Sequence, residues 1–202
     1  GKCVECGEWN TITEKISKTT SKNSSFNLDI PSLQLLNDIS SEKNKRIKII
    51  DNEFNRVLGG GIVPGSAILI GGEPGIGKST LILKIALGLK ADVLYIAGEE
   101  SSEQIKLRAD RLKVNNNNCF IYNETHVSSI LKASDEINPS LIIVDSIQTL
   151  FVDNIDASPG SVSQIRHSAE QLIRYSKNKS IPVIIIGHIT KDGSIAGPKV
   201  LE

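Results

Sequence analysis

Methionine is missing from all 202 residues, so we expect a piece of a longer chain rather than a complete translation product. Aromatic residues are scarce at 4%, and the core must therefore be built from Ile, Leu, Val and Ala. Neither sign of charge is in excess. With 23 acidic and 23 basic residues, a broadly basic nucleic-acid surface is excluded. Any DNA contact must then be local, on a loop or in the lumen of an assembly. No apolar run approaches the ~20 residues of a bilayer-crossing helix, and no signal peptide is evident, so no membrane partner is expected. The chain has three cysteines, two of them near its start, which cannot make a disulfide framework. A reducing cytoplasm is the expected setting.

What is present is concentrated in Gly72-Glu73-Pro74-Gly75-Ile76-Gly77-Lys78-Ser79, followed by Thr80. The spacing fits Gly-x-x-x-x-Gly-Lys-[Ser/Thr], the phosphate-binding loop of nucleoside triphosphatases. Each residue type has a physical task there. The glycines let the backbone N–H groups converge on phosphate oxygens. Lys78 supplies a mobile cation for the β- and γ-phosphates of ATP, and the Ser79 hydroxyl is a hard oxygen ligand for Mg²⁺. The loop needs a strand before it and a helix after it, so that the helix N-terminus adds positive potential. Ser66 to Gly71 reads as a buried parallel strand, and Leu81, Ile82, Ile85, Ala86 and Leu89 recur at helical spacing.

Beyond the loop, apolar runs alternate with amphipathic stretches. Strands are predicted at 93–97, 119–122, 141–144 and 183–187. One helix starts behind Ser101, where Gln104 completes a capping box, and another lies around Val127 to Ile137. A third starts with Pro159 at its first position behind Ser158 and carries the apolar face Val162, Ile165, Ala169, Leu172 and Ile173. Repeated β-α-β units of this kind predict an α/β fold, a mostly parallel twisted sheet with helices on both faces. Upstream, a short helix is expected within 29–40, a strand at 48–50 and a glycine-dense turn over 55–65. The division expected is a zinc-finger piece at 1–12, a linker with a short helix at 13–45, and the α/β core at 46–202.

Three further positions fall where strands end. Asp145 closes an apolar strand, the Walker B arrangement, in which a carboxylate on a strand neighbouring the phosphate-loop strand reaches Mg²⁺. Glu99 and Glu100 follow the strand 93–97. Either can orient the attacking water, and acids there also suit the start of the next helix. Ser146 is placed to hydrogen-bond nearby. His188 follows the last strand, within reach of a γ-phosphate, although a lone histidine is more often structural. His126 and His167 read as surface or capping residues and Cys119 as core. At the start, Cys3 and Cys6 with Gly7 have the shape of a zinc knuckle, but zinc needs four ligands and two are present. Half of a four-cysteine site, a redox pair and chance all stay open.

These residues together resemble the RadA (Sms) family of bacterial DNA-repair ATPases, relatives of the RecA recombinase. The resemblance rests on Leu58 to Gly65, on Ile70 to Thr80, on Tyr95-Ile96-Ala97-Gly98-Glu99-Glu100-Ser101 and on Gln104 to Ala109. It extends to Val144-Asp145-Ser146-Ile147-Gln148-Thr149, to Ser158 to Gln164 and to Gly193 to Glu202. It implies a RecA-like core that assembles as a hexameric ring on single-stranded DNA and recombination intermediates, with ATP bound between subunits. It implies Glu99 as the catalytic glutamate with Glu100 as its alternate, and His188 as a γ-phosphate sensor. Residues 152–161 and 191–199, the latter carrying Lys191 and Lys199, would be DNA-facing loops. The activity implied is DNA-stimulated ATP hydrolysis that drives branch migration or unwinding. Cys3, Cys6, Gly7, Trp9, Asn10 and Thr11 match the second half of the family's four-cysteine zinc finger. A Lys-Asn-Arg-Phe-Gly motif and a Lon-protease-like domain would follow Glu202. Two other classes use the same loop: a nucleotide-switched scaffold similar to KaiC, acting through protein partners, and a small-molecule kinase, for which no acceptor pocket is suggested.

Overall fold

The apolar runs become five parallel strands in a computed structural model that describes residues 35–38, 45–114, 116–153 and 155–188. The strands are β1 (Ala67–Gly72), β2 (Val93–Ala97), β3 (Cys119–Tyr122), β4 (Leu141–Asp145) and β5 (Val183–His188). Their order across the sheet is β1-β5-β4-β2-β3, parallel throughout. The helices are α1 (Asn52–Val57), α2 (Lys78–Gly88), α3 (Ser102–Leu112), α4 (Val127–Ile137) and α5 (Val162–Lys179). All these elements belong to one unit, Glu42–Glu202.

The period of two along a strand sorts the aliphatic side chains onto the two sheet faces. On one face Val93, Tyr95, Leu141, Ile143, Ile184 and Ile186 pack with Ile82, Leu83, Ile85 and Ala86 of α2 and Ile105 of α3. On the other, Leu94, Ile96, Ile142, Val144, Val183 and Ile185 pack with Val127 and Ile130 of α4 and Ile165, Ala169 and Leu172 of α5. Fully burying one such aliphatic side chain stabilises by about 1.5–3 kcal/mol, so two filled faces suffice without an aromatic core. The α/β expectation, helices on both faces included, is what is observed. The α3 capping box is also present: Ser101 Oγ accepts from Gln104 N and Gln104 Oε1 accepts from Ser101 N.

Five local expectations fail for identifiable reasons. β1 is not a buried strand; it is a half-exposed edge strand, shifted one residue toward the loop. Residues 48–50 are not a strand. Their backbone is occupied instead by the Asn55 side chain, whose Oδ1 accepts from Ile49 N at 3.1 Å and whose Nδ2 donates to Ile49 O at 2.7 Å. Beside them Ile47 and Ile62 make a single antiparallel bridge. Residues 52–57, read partly as turn, form α1 because Asp51 caps it, accepting from Phe54 N at 2.9 Å. Pro159 does not open α5. Gly160 stands at φ +80°, outside helical space, and Ser161 is the cap, accepting from Gln164 N. Lastly, β4 is not next to β1, because β5 lies between them. A 3-10 turn, Leu36–Asp38, falls where a short helix was expected. The rest of that stretch, the linker, Cys3 and Cys6 lie outside the described residues.

Candidate functional site

Because every strand runs the same way, the sheet has one carboxyl edge, and the candidate residues collect there. The register pairs Gly72 of β1 with His188 of β5, and Ala97 of β2 with Asp145 of β4. In open parallel sheets this edge is where ligands bind.

The loop between β1 and α2 turns on Gly75 at φ +80° and Gly77 at φ +101°, conformations that suit glycine. A Cβ built on either meets nothing within 4 Å, so the space over the loop is open to a phosphate group. Gly77 is the N-cap of α2, which makes the loop continuous with the positive end of a helix of 11 residues. Lys78 is buried, and its Nζ donates to Gly72 O at 2.7 Å and Glu73 O at 2.8 Å. An ammonium has three donors, so one is left for a phosphate oxygen. Glu73, Pro74, Ile76 and Thr80 are exposed around this cradle.

Asp145 reaches the loop although a strand intervenes. Ser79 Oγ, in the first turn of α2, donates to Asp145 Oδ1 at 3.0 Å, and Tyr95 Oη donates to Oδ2 at 2.6 Å. Tyr95 is fully buried; burial first, then the Asp145 carboxylate, push its phenol far above the usual tyrosine range. Two hard oxygens, Ser79 Oγ and Asp145 Oδ1, thus lie side by side at the foot of the phosphate loop. That donor set fits Mg²⁺.

Glu99 and Glu100 take different partners. Glu99 Oε1 accepts from Ser146 Oγ at 2.6 Å and lies 3.3 Å from His188 Nε2. The side chain of Glu99 is 47% exposed, whereas Ser146 is fully buried. Glu100 Oε2 pairs with Arg108 of α3 at 2.5 Å. The turn carrying both acids is pinned by Asn123, whose Nδ2 donates to Ala97 O at 3.3 Å and Glu100 O at 2.7 Å. Gly98 permits a close approach behind it, since a Cβ there would stand 1.9 Å from Thr149 Oγ1. An open cleft results, lined by Ser79, Ala97, Glu99, Glu100, Ile105, Arg108 and Asp145.

Lys78, Ser79, Glu99, Glu100, Asp145 and His188 are therefore brought to one sheet edge. Lys191 and Lys199 lie outside the described residues, as do both zinc-knuckle cysteines. No cluster of three or more His, Cys, Asp or Glu side chains suited to a metal occurs among the described residues. His126 caps α4 through its backbone and bonds Asp153 Oδ2 through Nε2 at 2.8 Å, while His167 Nδ1 lies 2.8 Å from Ser163 O. Cys119 packs partly buried against the core, and burial pushes its thiol up to about 11. Sequence reasoning missed Tyr95 and Arg108. A tyrosine inside the aliphatic run Val93 to Ala97 was a usable signal, because a buried hydroxyl needs an acceptor. Arg108 gave none, since one arginine on a charged helix looks like any other. Among the described residues no helix is long and apolar enough to cross a membrane.

A family described as an AAA domain matches residues 43–194. DNA repair protein RadA of Bacillus subtilis (strain 168) is 48% identical over 210 residues, covering 100% of this chain and 46% of that protein. DNA repair protein RadA of Haemophilus influenzae is 47% identical over 210 residues, and that of Aquifex aeolicus 47% over 209, each covering 100% of this chain and 46% of the relative. The chain thus spans a little under half the length of these relatives. A solved KaiC-like protein from Pyrococcus horikoshii OT3 superposes with a TM-score of 0.61 at 17% identity, covering 76% of this chain and 74% of that one; it shares the fold.

Proposed function

The chain belongs to the AAA domain family and, within it, to the RadA group, and from that premise we propose that it is the ATP-hydrolysing core of a DNA-repair protein. The observation that carries this reading is the meeting of Ser79 with Asp145 beneath the phosphate loop, with Glu99 on the same cleft. Ser79 and Asp145 would hold Mg²⁺, which when bound would supply charge neutralisation for the phosphates. The loop N–H groups and Lys78 bind and orient the triphosphate, and Glu99 orients and polarises the attacking water. Phosphoryl transfer rests on such positioning and charge rather than on covalent chemistry.

His188 touches Glu99 and precedes residues 189–199, which supports a role as γ-phosphate sensor. In this reading the whole protein works as a hexameric ring on single-stranded DNA and recombination intermediates, with Lys191 and Lys199 as DNA contacts. Hydrolysis would drive branch migration or unwinding. Zinc would bind at Cys3 and Cys6 together with a further pair of ligands.

The test is ATP binding and hydrolysis with and without single-stranded DNA. Lys78→Ala should abolish nucleotide binding. Glu99→Gln should retain binding and lose turnover by about 10²–10⁴-fold, the usual worth of a positioned general base. Normal turnover by Glu99→Gln would move the base to Glu100. Absence of DNA stimulation in the whole protein would sink the DNA-repair reading.

A further inference from the structure

Three carboxyl groups, Glu99, Glu100 and Asp145, line the cleft with one guanidinium, that of Arg108. The phosphate loop has its own cation, Lys78, whose Nζ is already engaged by two loop carbonyls. With Mg²⁺ answering Asp145, the acids left to face an entering polyanion are Glu99 and Glu100. Asp145 and Glu99 make their hydrogen bonds to Ser79, Tyr95, Ser146 and His188. Among the described residues, Glu100 alone of the three has a fixed cation, Arg108, at 2.5 Å.

Among the described residues the arginine is tied down by little else. Its side chain is 19% exposed, and its Nε is buried with no hydrogen-bond partner among them. A desolvated guanidinium left partly unsatisfied is costly, and the Glu100 pair is the contact that offsets that cost. The pair lines the same cleft as Asp145 and Glu99.

We propose that Arg108 is a positioning residue that neutralises Glu100 and draws it toward α3, leaving Glu99 as the one water-side acid presented to the nucleotide. The proposal rests on the nucleotide reading above and deepens it: it explains why two adjacent glutamates do not do the same work. In the absence of Arg108, the Glu100 charge would stand uncompensated against the triphosphate and against Glu99.

The experiment measures Mg²⁺-dependent binding of a fluorescent ATP analogue, with circular dichroism to check folding. Arg108→Ala should weaken binding by about tenfold, the order expected of one uncompensated charge in a half-exposed cleft. Arg108→Lys, which keeps the charge, should stay within about threefold of the parent. The decisive arm is Arg108→Ala combined with Glu100→Gln. Removing the orphaned charge should return affinity to within about threefold of the parent, a coupling that a purely packing role would not produce. A folded double variant as weak as Arg108→Ala overturns the proposal. If Arg108→Ala does not fold, Arg108→Gln keeps the stem, removes the charge and carries the same cycle. Failure of the parent chain to bind the analogue would instead sink the nucleotide reading, and this proposal with it.

Discussion

Asp145 and Glu99 stand at the same sheet edge, line the same cleft and are both carboxylates, yet the protein holds them in opposite ways. Asp145 is gripped through both oxygens, by Ser79 on one and the buried Tyr95 on the other. Glu99 makes every described hydrogen bond through Oε1, from Ser146 and with His188, and its side chain is 47% exposed. A group that anchors a metal benefits from a fixed position. A group that orients water needs one oxygen uncommitted. The contrast between these two acids supports their separate assignments more directly than their position at strand ends does.

The isosteric amides separate them most sharply. An amide has one acceptor oxygen, so Asp145→Asn must turn a donor toward either Ser79 or the buried Tyr95 hydroxyl. A buried polar group left without its partner costs about 1–3 kcal/mol, and urea unfolding should show a loss of that size. Glu99→Gln can keep Oε1 for both its donors and place its NH₂ at the free position. Its stability should stay within about 0.5 kcal/mol of the parent. Equal losses from the two amides would mean that the difference in grip has no energetic content.

Much of this arrangement was legible in the sequence, and the failures have physical reasons. The phosphate loop, the strands ending at Ala97, Asp145 and His188, and the Ser101–Gln104 cap each follow from local pattern, and local pattern is what a sequence displays. The position of β5 between β1 and β4 does not, because strand order depends on which faces the crossovers bury. The failed strand at 48–50 is instructive. Its apolar residues fit a strand, but the Asn55 side chain took the hydrogen bonds that a strand partner would have made. Ser146 was expected to hydrogen-bond nearby, but which partner each site acid takes was hidden. Tyr95 meets Asp145 across 50 residues of sequence, and Ser146 meets Glu99 across 47. Arg108 and Glu100 sit only 8 apart, but the glutamate precedes the helix, so helical spacing says nothing of their pairing.

A smaller effect tests the water-side acid. Ser146→Ala removes one of the two hydrogen bonds that aim Glu99 and leaves His188 as the other. Turnover of the whole protein should fall by about tenfold, as expected when a catalytic group is misplaced rather than removed. The Michaelis constant for ATP should change little, because the phosphate loop and Asp145 are untouched. A rise in that constant with kcat unchanged would assign Ser146 to nucleotide binding and break the division between the two acids.

The smallest effect lies on the metal side and depends on pH. Tyr95→Phe removes the hydroxyl donor but keeps the shape, leaving Asp145 with Ser79 alone. The expected loss is about 1 kcal/mol, the net worth of one hydrogen bond. The sign of its pH dependence follows from the phenol. Burial and Asp145 raise the folded-state value above the ordinary one near 10, so the folded protein holds that proton more tightly than the unfolded chain. The contribution is therefore fully present below about pH 10 and is lost as pH climbs beyond it. Urea midpoints of the parent and Tyr95→Phe should differ by a constant amount from neutral pH to about pH 9 and converge above about pH 10. A difference that instead grew with alkalinity would mean that Tyr95 is not held as a buried neutral phenol, and a difference of zero at neutral pH would mean that the two-handed grip that distinguishes Asp145 from Glu99 has no energetic content.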